Sequence, residues 1–173
     1  DRPEAARDGL HRRRLGILLR HSPRIEWLAQ HDAAVNAVRF SPDGRWLASA
    51  SDDGSARFWD SATGQPAGGA MAHPGAVSTL CFSPDGTRLL TVCSNQSARL
   101  WEVPSGRLLL GPVPANDFRF KRPTAAAAAF SPDSQRLVVA HGSAAQVLAA
   151  GTGEPLGAAT VHAGRINTAL FSP

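Results

Sequence analysis

Three histidines (His31, His73 and His162) and the adjacent pair Asp52 and Asp53 are the side chains in this 173-residue sequence best suited to chemistry. Imidazoles bind transition metals when several of them bring ring nitrogens to about 2 Å from one ion. Asp52-Asp53-Gly54 has the look of a calcium-loop fragment, but the spaced acidic ligands and the closing Glu of such a loop do not follow. Gly151-Thr152-Gly153 is a short glycine turn of the sort that can approach a phosphate, and Cys81 and Cys93 are the two thiols. The serines lie mostly in turns and at strand ends, and none carries a local nucleophile signature. Whether any of these groups can act together depends on the elements that hold them.

Those elements repeat. Phe-Ser-Pro-Asp-Gly stands at Phe40 to Gly44 and at Phe82 to Gly86, becomes Phe-Ser-Pro-Asp-Ser at Phe130 to Ser134, and begins again at Phe171; successive Phe residues are 42, 48 and 41 positions apart. A period of about 40–45 residues belongs to repeat architectures, not to an enzyme built around one cleft. Each phrase reads as a hairpin corner, with a strand ending at Phe, Ser-Pro opening a type I turn, and Gly taking the left-handed conformation. Around the first corner, 35–40 and 45–51 have strand composition, a third strand (55–59) follows the Asp52-Asp53-Gly54 turn, and a weaker fourth lies beyond Ala62-Thr63-Gly64. Four short antiparallel strands cannot bury both faces of their sheet unless the units stack.

This organisation separates the candidate groups. His31, His73 and His162 share one phase of the repeat, so they stand on different sheets about 10 Å apart, too far for one metal. They are expected to be structural. Gly151-Thr152-Gly153 falls in phase with Thr63-Gly64 and Ser105-Gly106 and is a repeat turn. Cys81 should face a residue between Arg88 and Leu90, out of register with Cys93, so two buried thiols are expected, and with them a reducing, cytoplasmic setting. No cofactor and no metal are implied.

His31 lies nine residues before Phe40, and Trp59-Asp60 nineteen after it; the frame returns with His73, Phe82 and Trp101-Glu102. This pattern resembles the WD-repeat family of β-propellers over residues 31–173, and 24–30 resembles the last strand of an earlier blade. The resemblance implies an all-β fold, a partial β-propeller of about three four-stranded antiparallel blades. It also implies a hydrogen-bonded set within each blade: His31, Ser49, Asp53 and Trp59 in repeat 1 (31–72), and His73, Thr91, Asn95 and Trp101 in repeat 2 (73–120). Asn95 is a neutral amide where repeat 1 has a carboxylate, so the second set should be the weaker one. Repeat 3 (121–161) is degenerate, with Lys121 in the His phase and Leu148-Ala149 in place of the Trp-Asp pair, and must rely on apolar packing. Repeat 4 begins at 162, keeping His162 and Ile166. Because a propeller closes with about 4–8 blades, the chain is expected to be a fragment of a larger bacterial protein.

Residues 1–23 form a separate N-terminal segment and linker. Leu10, Leu15, Ile17, Leu18 and Leu19 with Arg12-Arg13-Arg14 predict a short α-helix over 4–20, ended by Ser22-Pro23. His11 to Arg24 resembles the lead-in to the propeller in bacterial proteins that join a Ser/Thr protein kinase domain to WD repeats. That likeness implies, at most, a regulatory or substrate-docking propeller with a kinase domain as a partner in cis. The kinase motifs themselves are not in this sequence. The isoelectric point near 10.4 invites a nucleic-acid reading. However, residues 1–30 hold seven Arg against four acids, whereas 31–173 hold eleven basic residues against ten acids, so the repeats are nearly neutral, which argues against a dedicated nucleic-acid surface. Only the basic N-terminal segment leaves nucleic-acid binding as a distant alternative. No run approaches the roughly 18 apolar residues of a membrane span.

The long interval before Phe130 places about six extra residues in 114–123. Phe118, Arg119, Phe120, Lys121 and Arg122 alternate aromatic and basic groups there. Aromatics and Arg are enriched at interface hot spots, which makes this loop the candidate contact site for proteins or peptides on the top face. In the alternative reading, Phe118 or Phe120 closes the core of the degenerate blade. The function expected is a non-catalytic scaffold for protein–protein interactions.

Overall fold

A computed structural model describes residues 27–95, 97–114 and 126–172. Among the described residues, twelve strands form three four-stranded sheets. The first sheet contains β1 (Val35–Phe40), β2 (Trp46–Ser51), β3 (Ser55–Asp60) and β4 (Pro66–Ala72). The second contains β5 (Val77–Phe82), β6 (Arg88–Cys93), β7 (Ser97–Glu102) and β8 (Leu108–Pro114). The third contains β9 (Ala126–Phe130), β10 (Arg136–His141), β11 (Ala144–Ala149) and β12 (Thr160–Val161). In every sheet, sequence neighbours pair antiparallel in simple order. The predicted helix over 4–20 lies outside the described residues.

The chemistry of the corner explains why its sequence repeats. Ser41 Oγ donates to Asp43 Oδ1 at 2.6 Å and accepts from Trp46 N–H at 2.9 Å, while Arg45 N–H donates to Asp43 Oδ1 at 3.1 Å. One hydroxyl thus ties the end of the first strand to the start of the second. The same bonds recur from Ser83 to Asp85 and Arg88, and from Ser131 to Asp133 and Arg136. All three serines are buried. Gly44 and Gly86 adopt φ of 72° and 71°, the left-handed region that glycine enters freely. In the third corner Ser134 takes φ 58° instead, and its surroundings hold it there. Its hydroxyl accepts from Asp85 N–H at 3.3 Å, and its carbonyl accepts from Arg88 Nη2, so this corner is bonded to the one before it.

Side-chain alternation gives each sheet two faces. Ala48, Ala50, Ala56, Phe58 and Met71 of the first sheet pack against Val77, Leu80, Leu89 and Trp101 of the second, with Phe58 and Phe82 ring centroids 6.1 Å apart. Leu90, Val92, Ala98 and Leu100 of the second meet Phe130, Leu137, Val139, Leu148 and Ala150 of the third. With Leu148 in the Trp phase, the core cluster between these two sheets is built of apolar side chains. Arg88 also lies over the Phe130 ring, 5.7 Å from its centroid.

Cys81 pairs in register with Leu90, and both cysteines are free thiols. Burial pushes the Cys81 thiol up to about 12, with the Arg39 charge opposing it in part. Residues 162–172 add no ladder strand, yet His162 N–H and Ile166 N–H donate to Ser143 O and Gly142 O, and Phe171 lies under Arg136 at 5.6 Å. No helix among the described residues is long and apolar enough to cross a membrane.

Candidate functional site

The histidine phase places each imidazole just before its sheet, where it reaches the second strand and the turn that follows it. In the first sheet, His31 Nδ1 lies 2.8 Å from Asp53 Oδ2, and His31 Nε2 lies 2.6 Å from Ser49 Oγ. Trp59 Nε1–H donates to the same Ser49 oxygen at 2.8 Å. A carboxylate can only accept, so Nδ1 carries the proton toward Asp53. In the neutral ring Nε2 then accepts from the Ser49 hydroxyl, which itself accepts from the indole. All four side chains named from the sequence meet in one chain of bonds, and the His31 and Trp59 rings pack edge to face at 6.2 Å.

Asp53 is the anchor of this set. Burial works against its charge, but the Ser55 hydroxyl, His31, Ser55 N–H and Asp32 N–H all donate to it and hold its carboxyl well below the usual carboxylate range. The Ser55 contribution is visible in the sequence only in retrospect, as a Ser two residues after Asp53 and again, at Ser97, two after Asn95.

The second set closes differently from the one expected. Thr91 Oγ1 bridges His73 Nε2 and Trp101 Nε1, each at 2.8 Å, as Ser49 does in the first sheet. Asn95, however, does not join His73. Its Oδ1 accepts from Ser97 N–H at 3.0 Å, from Ser97 Oγ at 2.7 Å and from Cys93 Sγ at 2.6 Å. His73 Nδ1 donates instead to the Met71 carbonyl at 2.8 Å. The physical reason is acceptor capacity. An amide offers a single acceptor oxygen, here taken by the turn, whereas a carboxylate offers two and can serve turn and imidazole together. Burial pushes His73 down to about 4, the Met71 carbonyl opposing the shift and the Arg99 charge adding to it.

The sets are thus internal ties that fix strand order and loop position. Among the described residues, no group of three or more His, Cys, Asp or Glu is placed to hold a metal ion. His31 and His73 belong to separate sheets, and His162 is exposed beyond β12. Asp52 caps its turn by accepting from Asn36 Nδ2 at 2.6 Å. Gly153 N–H closes its own turn onto Ala149 O, as Gly64 and Gly106 do onto Asp60 O and Glu102 O. The loop holding Phe118, Arg119, Phe120, Lys121 and Arg122 lies outside the described residues.

Stacked four-stranded sheets, the first two each tied by a hydroxyl between His and Trp, define a propeller-like repeat protein. Residues 23–60 and 67–102 match the family described as "WD domain, G-beta repeat". One curated relative is the Notchless protein homolog of Arabidopsis thaliana, 58% identical over 38 residues, which are 22% of this chain and 8% of that protein. Another is WD repeat-containing protein 1 of Xenopus tropicalis, 49% identical over 49 residues, 27% of this chain and 8% of that protein. The chain therefore spans 8% of the length of each of these two relatives. Among solved structures, the computationally designed Ika4 protein matches with a TM-score of 0.70 at 22% identity, covering 88% of both chains. The designed Ika8 protein matches at 0.68 and 22%, covering 84% of this chain and 42% of that one. Those two likenesses concern the fold alone. The family match and the curated relatives together support the WD-repeat β-propeller family.

Proposed function

We propose that this chain is a non-catalytic WD-repeat scaffold that holds partner proteins or peptides on the face where the histidines and the turns after the second strands lie. The observation that carries this reading is the inward use of its polar groups. His31, Ser49, Asp53 and Trp59 satisfy one another, as do His73, Thr91 and Trp101, so the groups best suited to chemistry are spent on rigidity. WD-repeat proteins are generally protein-interaction scaffolds, and a rigid stack of blades presenting variable loops suits that role.

Within this reading, the departure from the regular period supplies specificity. The loop with Phe118, Arg119, Phe120, Lys121 and Arg122 extends the connection between the second and third blades and offers aromatic and guanidinium groups to a partner. The test is affinity capture from extract of the source organism, followed by titration of the isolated partner. Replacing Arg119 and Arg122 with Ala should weaken binding about tenfold or more and leave the melting temperature unchanged. Equal affinity for the variant removes the loop from the contact surface, and failure of any protein to bind the intact polypeptide removes the scaffold reading.

A further inference from the structure

The third blade lacks the His, hydroxyl and Trp of the other two; Lys121, Val139 and Leu148 stand in their phases. Phe130, Leu137 and Val139 are nonetheless buried at its seam with the second blade. Polar contacts cross that seam at the corners. Arg88 Nη2 donates to Ser134 O at 2.5 Å and lies 3.6 Å from Asp85 Oδ2, and the guanidinium covers the Phe130 ring at 5.7 Å. Ser134 Oγ accepts from Asp85 N–H at 3.3 Å. The Arg88 side chain is only 18% exposed, so these contacts form largely away from water, where they are strongest. Ser134 makes them at φ 58°, in a position where the two earlier corners have glycine.

The seam between the first and second blades is fastened at its other end. There Asn36 Nδ2 donates to Val77 O at 3.0 Å, and Arg99 Nη1 donates to Ala72 O at 2.7 Å. Neither bond has a counterpart at the next seam among the described residues. Ser78, in the phase of Asn36, turns back to Val92 O of its own blade, and Val147 stands in the phase of Arg99. Conversely, the first two corners lack the bonds of the second and third. Trp46 stands in the phase of Arg88 and Gly86 in that of Ser134, and a side chain at Gly86 would meet Pro42 Cδ alone, at 3.7 Å.

We infer that the second corner is a latch for the third blade: Arg88, backed by Asp85, clamps Phe130 and Ser134 and replaces the histidine-end bonds that fasten the first two blades. The two thiols report the two seams separately. On β6, Leu89 and Cys93 share one side of the strand, and Leu89 packs toward the first blade. Cys81 packs instead against the cluster between the second and third blades.

The experiment is thiol labelling with N-ethylmaleimide in the full polypeptide containing these residues, followed by mass spectrometry of the Cys81 and Cys93 peptides. Arg88→Gln should speed labelling of Cys81 about tenfold or more and leave Cys93 within about twofold of wild type, with folding checked by far-UV circular dichroism. Ser134→Gly is the second arm. Glycine enters the left-handed region freely, so replacing a serine that is merely strained would slow labelling or leave it unchanged. Loss of the Ser134 hydroxyl from the latch should instead speed Cys81 labelling about threefold. Arg45→Gln is the control, because its guanidinium lies over Trp46 of its own blade, 5.5 Å from the ring centroid, and it should change neither thiol. Unchanged Cys81 labelling in Arg88→Gln overturns the proposal, as does equal acceleration of both thiols. Labelling that is slower or unchanged in Ser134→Gly also overturns it.

Discussion

Replacing Asp53 with Asn asks the first blade to run on the chemistry of the second. The amide oxygen can keep Ser55 N–H and Ser55 Oγ, as Asn95 keeps Ser97. What it cannot keep is the second acceptor, so its NH2 group then faces the Nδ1–H of His31. The ring must either lose that bond or shift its proton to Nε2. In the latter case Nε2–H and Trp59 Nε1–H both donate to Ser49 Oγ, and the Ser49 hydroxyl proton loses its acceptor. Oδ2 thus gives up its bonds from His31 and from Asp32 N–H, of which the shorter, to a charged group, is alone worth about 1.5–3 kcal/mol, and a new bond from the amide at position 53 to His31 after the proton shift recovers only part of it. Urea unfolding followed by tryptophan fluorescence should show a loss of about 2 kcal/mol at pH 7. The pH dependence adds a sign check. A carboxyl held below its ordinary 3.8 stabilises the folded state above that value, and the contribution fades as pH falls through the folded pKa. The gap between wild type and variant should therefore be constant from pH 8 to about pH 5 and close in stronger acid. The reciprocal change Asn95→Asp should bring little gain, because His73 already donates to Met71 O. A loss below about 0.5 kcal/mol for Asp53→Asn, or a gain above about 1.5 kcal/mol for Asn95→Asp, refutes the reasoning on acceptor capacity.

Other outcomes follow from the same geometry. Since His73 is held down to about 4 from an ordinary 6.5, the unfolded chain takes up a proton first as pH falls, so stability should decline between pH 6.5 and 4 and then level off. The shift corresponds to about 3 kcal/mol at most, and partial solvent contact reduces this to about 1–2 kcal/mol; imidazole NMR titration and acid-dependent melting both read it, and a His73 midpoint near 6.5 would contradict the account. Thr91→Val removes the acceptor of Trp101 Nε1–H and the donor to His73, and should cost about 2–3 kcal/mol in chemical denaturation. Gly68→Ala should destabilise by at least about 1 kcal/mol, because φ is 67° and the added methyl would come within 2.6 Å of Ser105 O, whereas Gly69→Ala meets open space and serves as the control in thermal melts.

Corner, strand and blade were legible because they depend on local chemistry that repeats. Phe-Ser-Pro-Asp-Gly predicts a turn at each occurrence, and the register that follows from it placed Cys81 opposite a residue between Arg88 and Leu90, away from Cys93; the partner is Leu90. The His31 set was legible only through the resemblance to WD repeats, and its four residue types are the ones its bonds need. Asn95 was misread because its role depends on which of two donors wins its single acceptor oxygen. A backbone carbonyl, Met71 O, decided the outcome, and backbone carbonyls leave no mark in a sequence. The tie between the second and third corners through Ser134 was equally hidden, because a serine at a glycine position looks like decay until Asp85 and Arg88 are seen to hold it.

The corner bonds also set an order of events. Ser41 to Asp43 and Trp46 to Ser41 close over two and five residues, whereas the bond from Trp59 to Ser49 spans ten and that from His31 to Asp53 spans twenty-two. Loop closure becomes more costly with separation, so a chain emerging stepwise can set each corner first, then tie its blade, and stack blades last. Each corner thus closes on its own residues, and the third is in addition fastened through Ser134 to Asp85 and Arg88 of the second, so the modules are separable in sequence but stitched at that one pair of corners among the described residues.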